Sequence, residues 1–303
     1  LNFARLRTEL TRAISPALAF ALIAIAPPPT AATDVISATP EALASIMSTR
    51  RNVLLGETHD NALQHALRAA ALRQIVEAGA RPALAFEQFD RDRQADIDRA
   101  RREQPGDIDA LVELGTRGWQ WSYYRPYLRL AVEYGLPIVA SNLSRADAAK
   151  VASQGWDAVF DPAGQAELDL DRLPPGFVAA HQQAVAQGHC NLLPADALPR
   201  LAKAQIARDI VLARSLRPHL RHGVVLLAGN GHVRKDIGVP YWLSEDERRD
   251  VLSIGLLEID PDGTRGAVDE LAGHYDALME TPAADRPDPC EALRNRLQPA
   301  VKH

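Results

Sequence analysis

Cysteine is almost missing from this chain: 303 residues include only Cys190 and Cys290. Neither belongs to a Cys-x-x-Cys pair, which speaks against a zinc site built on them. An oxidising compartment would let them pair, but spacing alone does not bring them within bonding distance. Lysine is scarce as well, confined to Lys150, Lys203, Lys235 and Lys302, so arginine carries the basic charge. The net charge of −5 leaves no basic excess for a nucleic-acid partner, and no acidic tail forms a solvating arm. The compact ligand motif His-Glu-x-x-His is lacking too. What remains, 47% of it hydrophobic, suffices for one large core or two small ones.

The apolar run from Ala13 to Ala26 is too short to cross a bilayer. It follows Arg5, Arg7 and Arg12 and precedes the small residues Thr30-Ala31-Ala32. Basic, apolar and small segments in that order describe residues 1–32 as a cleaved signal peptide. An amphipathic N-terminal helix fits less well, because the apolar stretch is nearly continuous. The expectation is an exported, periplasmic protein without a lipid-bearing cysteine at the cleavage point. Residues 33–303 are expected to form a single α/β domain, with its core over about 45–260 and a loop-rich tail over 261–303.

The chain is organised around two copies of one pattern. Val53-Leu54-Leu55-Gly56-Glu57-Thr58-His59 and Val224-Val225-Leu226-Leu227-Ala228-Gly229-Asn230-Gly231-His232 are short apolar runs that end in Gly-x-x-His. Runs without alternation suit strands covered on both faces of a parallel sheet. Glu57 and His59 stand two residues apart, so in extended geometry their side chains share a side. Open α/β sheets bind ligands beyond the carboxyl ends of their strands. A plain βα turn explains either motif alone; the repetition favours two walls of one site.

The other elements fall in sequence. Asn61 and Gln64 resemble a capping box for a helix with Leu63, Leu67, Ala71 and Ile75 on its apolar face, closed by Gly79. Ala83 to Glu87 is the next strand, completing a βαβ unit. The block Gly118 to Tyr127 gathers Trp119, Trp121, Tyr123, Tyr124 and Tyr127, with Pro126 in the first turn of a helix. It reads either as an aromatic lid or as a wall for a flat ligand. Pro137 to Ser141 is a third strand, ending at Asn142. Residues 156–194 form an insertion around a helical piece with His181, and His189 follows. In the long helix Ala195 to Leu216, Gln205 and Arg208 share a stripe with Leu201 and Leu212, where they either brace a site or face solvent. Val251 to Ile259 reads as a last strand at a sheet edge. The expected fold class is α/β: a central, mostly parallel sheet with helices on both faces, plus a helical and irregular insertion.

Glu57, His59, Glu87, Asn142 and His232 therefore collect at strand ends. Two imidazoles and two carboxylates make a workable divalent-metal set, with a glutamate left to activate water. The motifs Leu55-Gly56-Glu57-Thr58-His59, Phe86-Glu87-Gln88-Phe89, the Trp/Tyr/Pro block, Asn142-Leu143-Ser144-Arg145, Gly188-His189-Cys190, Gln205-Ile206-Ala207-Arg208-Asp209 and Gly229-Asn230-Gly231-His232 occur in this order. Over about residues 45–295 they resemble the ChaN-type haem-binding uptake family, within the Tiki/erythromycin-esterase-like superfamily.

The resemblance implies haem or iron acquisition by an exported protein, in company with an outer-membrane uptake system. It also implies haem held at a homodimer interface with a tyrosine on iron, for which Tyr123, Tyr124, Tyr127 and Tyr275 are candidates. Arg145, His181, His189 and Lys235 are the corresponding candidates at the propionates. The superfamily's hydrolases imply the alternative of a metal-dependent hydrolase. There His59, His232, Glu57 and Glu87 would hold a divalent ion, Glu57 or Glu87 would act as base, and Asn142, Gln205 and Arg208 would brace them.

Overall fold

The inner strands form where the sequence runs apolar without alternation. The computed structural model describes residues 33–259, 262 and 266–297, and the expected signal peptide lies outside the described residues. The strands are β1 (Asp34–Ile36), β2 (Asn52–Leu55), β3 (Ala83–Asp90), β4 (Ile138–Asn142), β5 (Val224–Leu227), β6 (Val251–Ile259) and β7 (Ala277–Pro282). They make one sheet in the order β1-β7-β6-β2-β5-β3-β4, parallel at every pairing.

Alternate strand residues feed two cores. Val53, Leu55, Val225 and Leu227 face α1 (Pro40–Met47), α2 (Ala62–Glu77), α3 (Gln94–Glu103), α4 (Ile108–Glu113) and α5 (Trp121–Glu133). Leu54 and Leu226 face the other side. There α6 (Arg145–Gln154), the short α7 (Pro162–Glu167), α8 (Pro175–Gly188) and α9 (Leu198–Leu216) follow β4. The last helices are the single turn α10 (Asn230–Val233), α11 (Glu245–Arg249), α12 (Gly266–Leu271) and α13 (Pro289–Leu297). The α/β architecture with covered faces matches the expectation.

Several local expectations need correction. β6 is not an edge, because β2 pairs on one side and β7 on the other. The tail reckoned as loop supplies β7, whose apolar run is only Ala277, Leu278 and Met279 before polar residues resume. Pro126 sits in the second turn of α5, where its missing N–H costs a helical hydrogen bond. Leu63 is 44% exposed, and Gln64 takes the buried place beside it. Asn61 does cap α2 through the Gln64 N–H at 3.0 Å. The reciprocal half of the box fails, since Gln64 Oε1 accepts from the Thr58 N–H at 2.6 Å instead.

The chain leaves β2 towards β3 across β5, and leaves β5 towards β6 across β2. Paths that diverge in this way open a crevice beyond the carboxyl ends of the two strands. On the far side of the sheet, Cys190 and Cys290 are disulfide-bonded with Cα atoms 5.5 Å apart, joining the end of α8 to the start of α13.

Candidate functional site

β2 and β5 are neighbours in register, Val53 against Val225 and Leu55 against Leu227, so the two Gly-x-x-His endings emerge side by side. Both lead glycines are required by close approach. A Cβ on Gly56 would collide with Asn230 Oδ1 and lie 2.9 Å from the Ile254 carbonyl oxygen. One on Gly229 would lie 2.7 Å from His59 Cε1. Beyond these ends is an open cleft of about 640 Å3, walled by His59, Glu87, Trp119, Arg145, Arg208 and His232 among others.

At the first ending, Glu57 lies beneath the surface with no exposed side-chain area, in a buried ion pair with Arg68. Its other oxygen accepts the Tyr124 hydroxyl and stands 2.9 Å from His59 Nδ1. Arg68 also donates from Nη2 to the Leu55 carbonyl at 2.8 Å. His65, stacked on Tyr123 with centroids 4.6 Å apart, is held down to about 4 by burial and is neutral. The His59 side chain itself is 47% exposed, with its ring edge-on to Trp119 at 4.7 Å. With Nδ1 engaged by Glu57, Nε2 is the ring nitrogen left for a ligand.

The second ending is built differently. His232 is buried, with Nδ1 2.6 Å from Asp209 Oδ1 and Nε2 3.4 Å from Glu87 Oε1. Burial opposes its charge, but Asp209 and Glu87 outweigh that and push it up to about 10. Burial likewise opposes a charge on Glu87, and His232, His59 and the Gly229 N–H at 2.8 Å overcome it, holding the carboxyl at about 2. Burial pushes Asp209 up as well, against the pull of His232, whose Nδ1 stands 2.6 Å from its Oδ1. The result is an imidazolium clamped between two carboxylates. It is an electrostatic fixture with no free nitrogen.

This arrangement does not assemble the expected metal set. Among the described residues, no three His, Cys, Asp or Glu side chains converge as a metal-holding group. His232 spends both nitrogens on carboxylates, and Glu57 spends its oxygens on Arg68, Tyr124 and His59. Glu57 has no exposed side-chain area, and Glu87, at the cleft wall, faces His232 and accepts the Gly229 N–H. Asn142, Gln205 and Arg208 do reach the cleft wall, and Arg208 Nη1 donates to Asn142 Oδ1 at 2.9 Å and to the Leu143 carbonyl at 3.0 Å.

None of the four candidate tyrosines lines the cleft. Tyr124, Tyr127 and Tyr275 are fully buried, with their hydroxyls on Glu57, on the His65 carbonyl at 3.1 Å and on the Asn230 carbonyl at 3.3 Å. Burial pushes all three phenols up, away from the tyrosinate form. Tyr123 is half-buried against His65. Of the propionate candidates, only Arg145 lines the cleft. His181 is buried edge-on to Phe177, His189 bonds the Val185 carbonyl at 2.8 Å, and Lys235 pairs with Asp276 at 2.9 Å.

Sequence reasoning passed over Arg68, His65 and Arg117, and named Asp209 only as part of a motif. A signal for two of them existed: His65, Arg68 and Leu72 are spaced by three and four, one stripe of a helix. Charged residues on such a stripe are buried only when a partner waits, and the partner is Glu57, eleven positions back in the chain.

Comparison with one solved structure supports the fold. A structure of cofacial haem binding to ChaN of Campylobacter jejuni matches with a TM-score of 0.58 at 18% identity, over 72% of this chain and 85% of that one. An erythromycin esterase, EreC, matches with a TM-score of 0.42 at 17% identity, over 73% of each chain. A Bacillus cereus protein matches with a TM-score of 0.45 at 13% identity, over 77% of this chain and 75% of its own. None of the curated proteins matches. The family model for haem-binding uptake proteins of the Tiki superfamily covers residues 43–243, so this chain, with its paired Gly-x-x-His strand ends, belongs to the ChaN haem-binding family.

Proposed function

We propose that the protein binds haem in the strand-end cleft, where His59 would hold the iron through Nε2. The observation that carries this is the His59–Glu57 contact at 2.9 Å beneath an exposed imidazole. A histidine that binds metal almost always leans its other nitrogen on a carboxylate, carbonyl or water, which fixes the ring and raises its basicity. Bound haem would supply a flat apolar ring, two carboxylates and an iron that accepts a nitrogen ligand.

The residues present fit that description. Trp119 offers an aromatic wall beside His59, and Arg117, Arg145 and Arg208 line the same cleft. Arg208 spends Nη1 on neutral oxygens, Asn142 Oδ1 and the Leu143 carbonyl. Guanidinium groups suit carboxylates because two N–H groups meet two oxygens in one plane. On this reading His59, in place of a tyrosine, would be the residue that holds the iron.

The wider proposal is an exported, periplasmic protein of haem or iron uptake, loaded as a homodimer and serving an outer-membrane system. The Cys190–Cys290 disulfide suits an oxidising compartment. An open cleft leaves one side of a flat ligand uncovered, which a second copy would close.

Titration of the unloaded protein with haem tests the reading. Saturable binding with a Soret band is expected, and His59→Ala weakens affinity by about tenfold or more, the scale of losing support at a ligand position. Absence of saturable binding would overturn it. One tightly held divalent ion per chain in metal analysis would then favour the hydrolase.

A further inference from the structure

The segment that leaves β7 runs beside Asp60, a residue of the cleft wall. Residues 283–290 run from the carboxyl end of β7 to Cys290, which is bonded to Cys190 at the end of α8. None of these residues is buried, so no core contact holds the segment. Midway, Arg286 lies against Glu258, with Nη1 2.9 Å from Oε1 and Nη2 on Oε2. The same Oε1 accepts from Asn61 Nδ2 at 2.7 Å and from the Ala284 N–H at 2.9 Å. Asn61 also donates to the Pro282 carbonyl at 3.0 Å, and Arg286 Nη1 is 3.2 Å from Asp60 Oδ1.

Asp60 and Asn61 directly follow His59, and Asp60 lines the cleft. Glu258 therefore ties the segment to the loop that presents His59. At the far end, Cys190 and Asn191 both hold left-handed φ values, 56° and 54°, so the anchor is a tightly defined turn. Pro287 and Pro289 stiffen the stretch between the two attachments.

We infer that residues 283–290 are a strap that holds the His59 loop at the cleft, and that the thiol–disulfide state of Cys190 and Cys290 sets how firmly the ligand is kept. The inference rests on the haem reading for the identity of that ligand. A dithiol reductant breaks the S–S bond and delivers two electrons and two protons. Cys190 and Cys290 become thiols, and the dithiol leaves as a disulfide. Among the described contacts, the strap is then held by the Ala283 N–H on the Ile259 carbonyl, by Glu258, and by the pair of Arg286 with the exposed Asp60 carboxylate. Arg286 is a positioning residue in this scheme, acting on the ligand through Asp60 and Asn61.

Haem transfer from the loaded protein to apomyoglobin tests the strap. With dithiothreitol, or in the C190S/C290S variant, haem leaves about tenfold faster, a coupling within the usual range between linked sites. Arg286→Ala gives a similar increase in the oxidised protein and little more on reduction, because both changes act through one path. Equal release rates for oxidised and reduced protein would overturn the strap.

Amide exchange of the unloaded protein makes the test independent of haem. Exchange over residues 56–61 rises on reduction while that of β2 and β5 does not. Unchanged exchange over 56–61 would sink the strap by itself. If the oxidised protein takes up no haem, the haem reading fails, and the exchange experiment still decides the strap.

Discussion

The two Gly-x-x-His strand ends share a sequence pattern and differ in chemistry. His59 is half exposed and leans on a carboxylate that Arg68 already neutralises. His232 is buried, bears a proton and is gripped by Asp209 and Glu87. The first histidine has a nitrogen to offer a ligand; the second has none. One motif has therefore been used once to present a group and once to lock a floor. The difference comes from partners on α2 and α9, far away in the chain.

The largest effect should come from the support beneath His59. Arg68→Met strips the cation from Glu57 and leaves a buried charge, costing about 3–5 kcal/mol by denaturant unfolding. His59→Ala, at the exposed end of the same group, changes stability by less than about 1 kcal/mol. Equal costs for the two would erase the distinction between floor and presented ligand. Gly229→Ala comes next, since its Cβ would stand 2.7 Å from His59 Cε1. Crowding of that kind costs about 1–3 kcal/mol, and displacement of the ring should lower haem affinity as well. Normal haem titration by Gly229→Ala would remove His59 from the proposed ligand position.

Acidity separates the two ends more gently. His65, beside Glu57, falls from 6.5 to about 4 on folding. The unfolded chain therefore takes up that proton first, so this contribution is complete above pH 6.5 and is lost as pH falls towards 4. His232 rises from 6.5 to about 10. Its contribution is complete below pH 6.5 and is lost as pH climbs towards 10. Unfolding free energy measured against pH should slope in opposite senses on the two sides. Asp209→Asn should flatten the alkaline limb and spare the acid one. The smallest effect belongs to His189→Ala, at the end of α8 and outside the cleft, which should leave haem affinity unchanged.

The strands around the site were legible because burial on both faces leaves unbroken apolar runs, as at Val53-Leu54-Leu55 and Val224-Val225-Leu226-Leu227. β7 was not, because three apolar residues ahead of Glu280, Thr281 and Pro282 do not stand out from a loop. The presence of Glu57, His59, Glu87 and His232 at one end of the sheet followed from the motifs. Their roles did not: a metal set and a carboxylate-clamped imidazolium use the same residue types.

By itself the sequence determined the parallel α/β scaffold and the two strand ends, since hydrophobic period and glycine placement are local properties that the chain carries along its length. Only the tertiary structure decided that Arg68 neutralises Glu57, that Asp209 charges His232, that the tyrosines turn inward and that Cys190 meets Cys290. Protonation, exposure and ligand availability depend on which distant side chains come within a few ångströms, and burial magnifies each such contact.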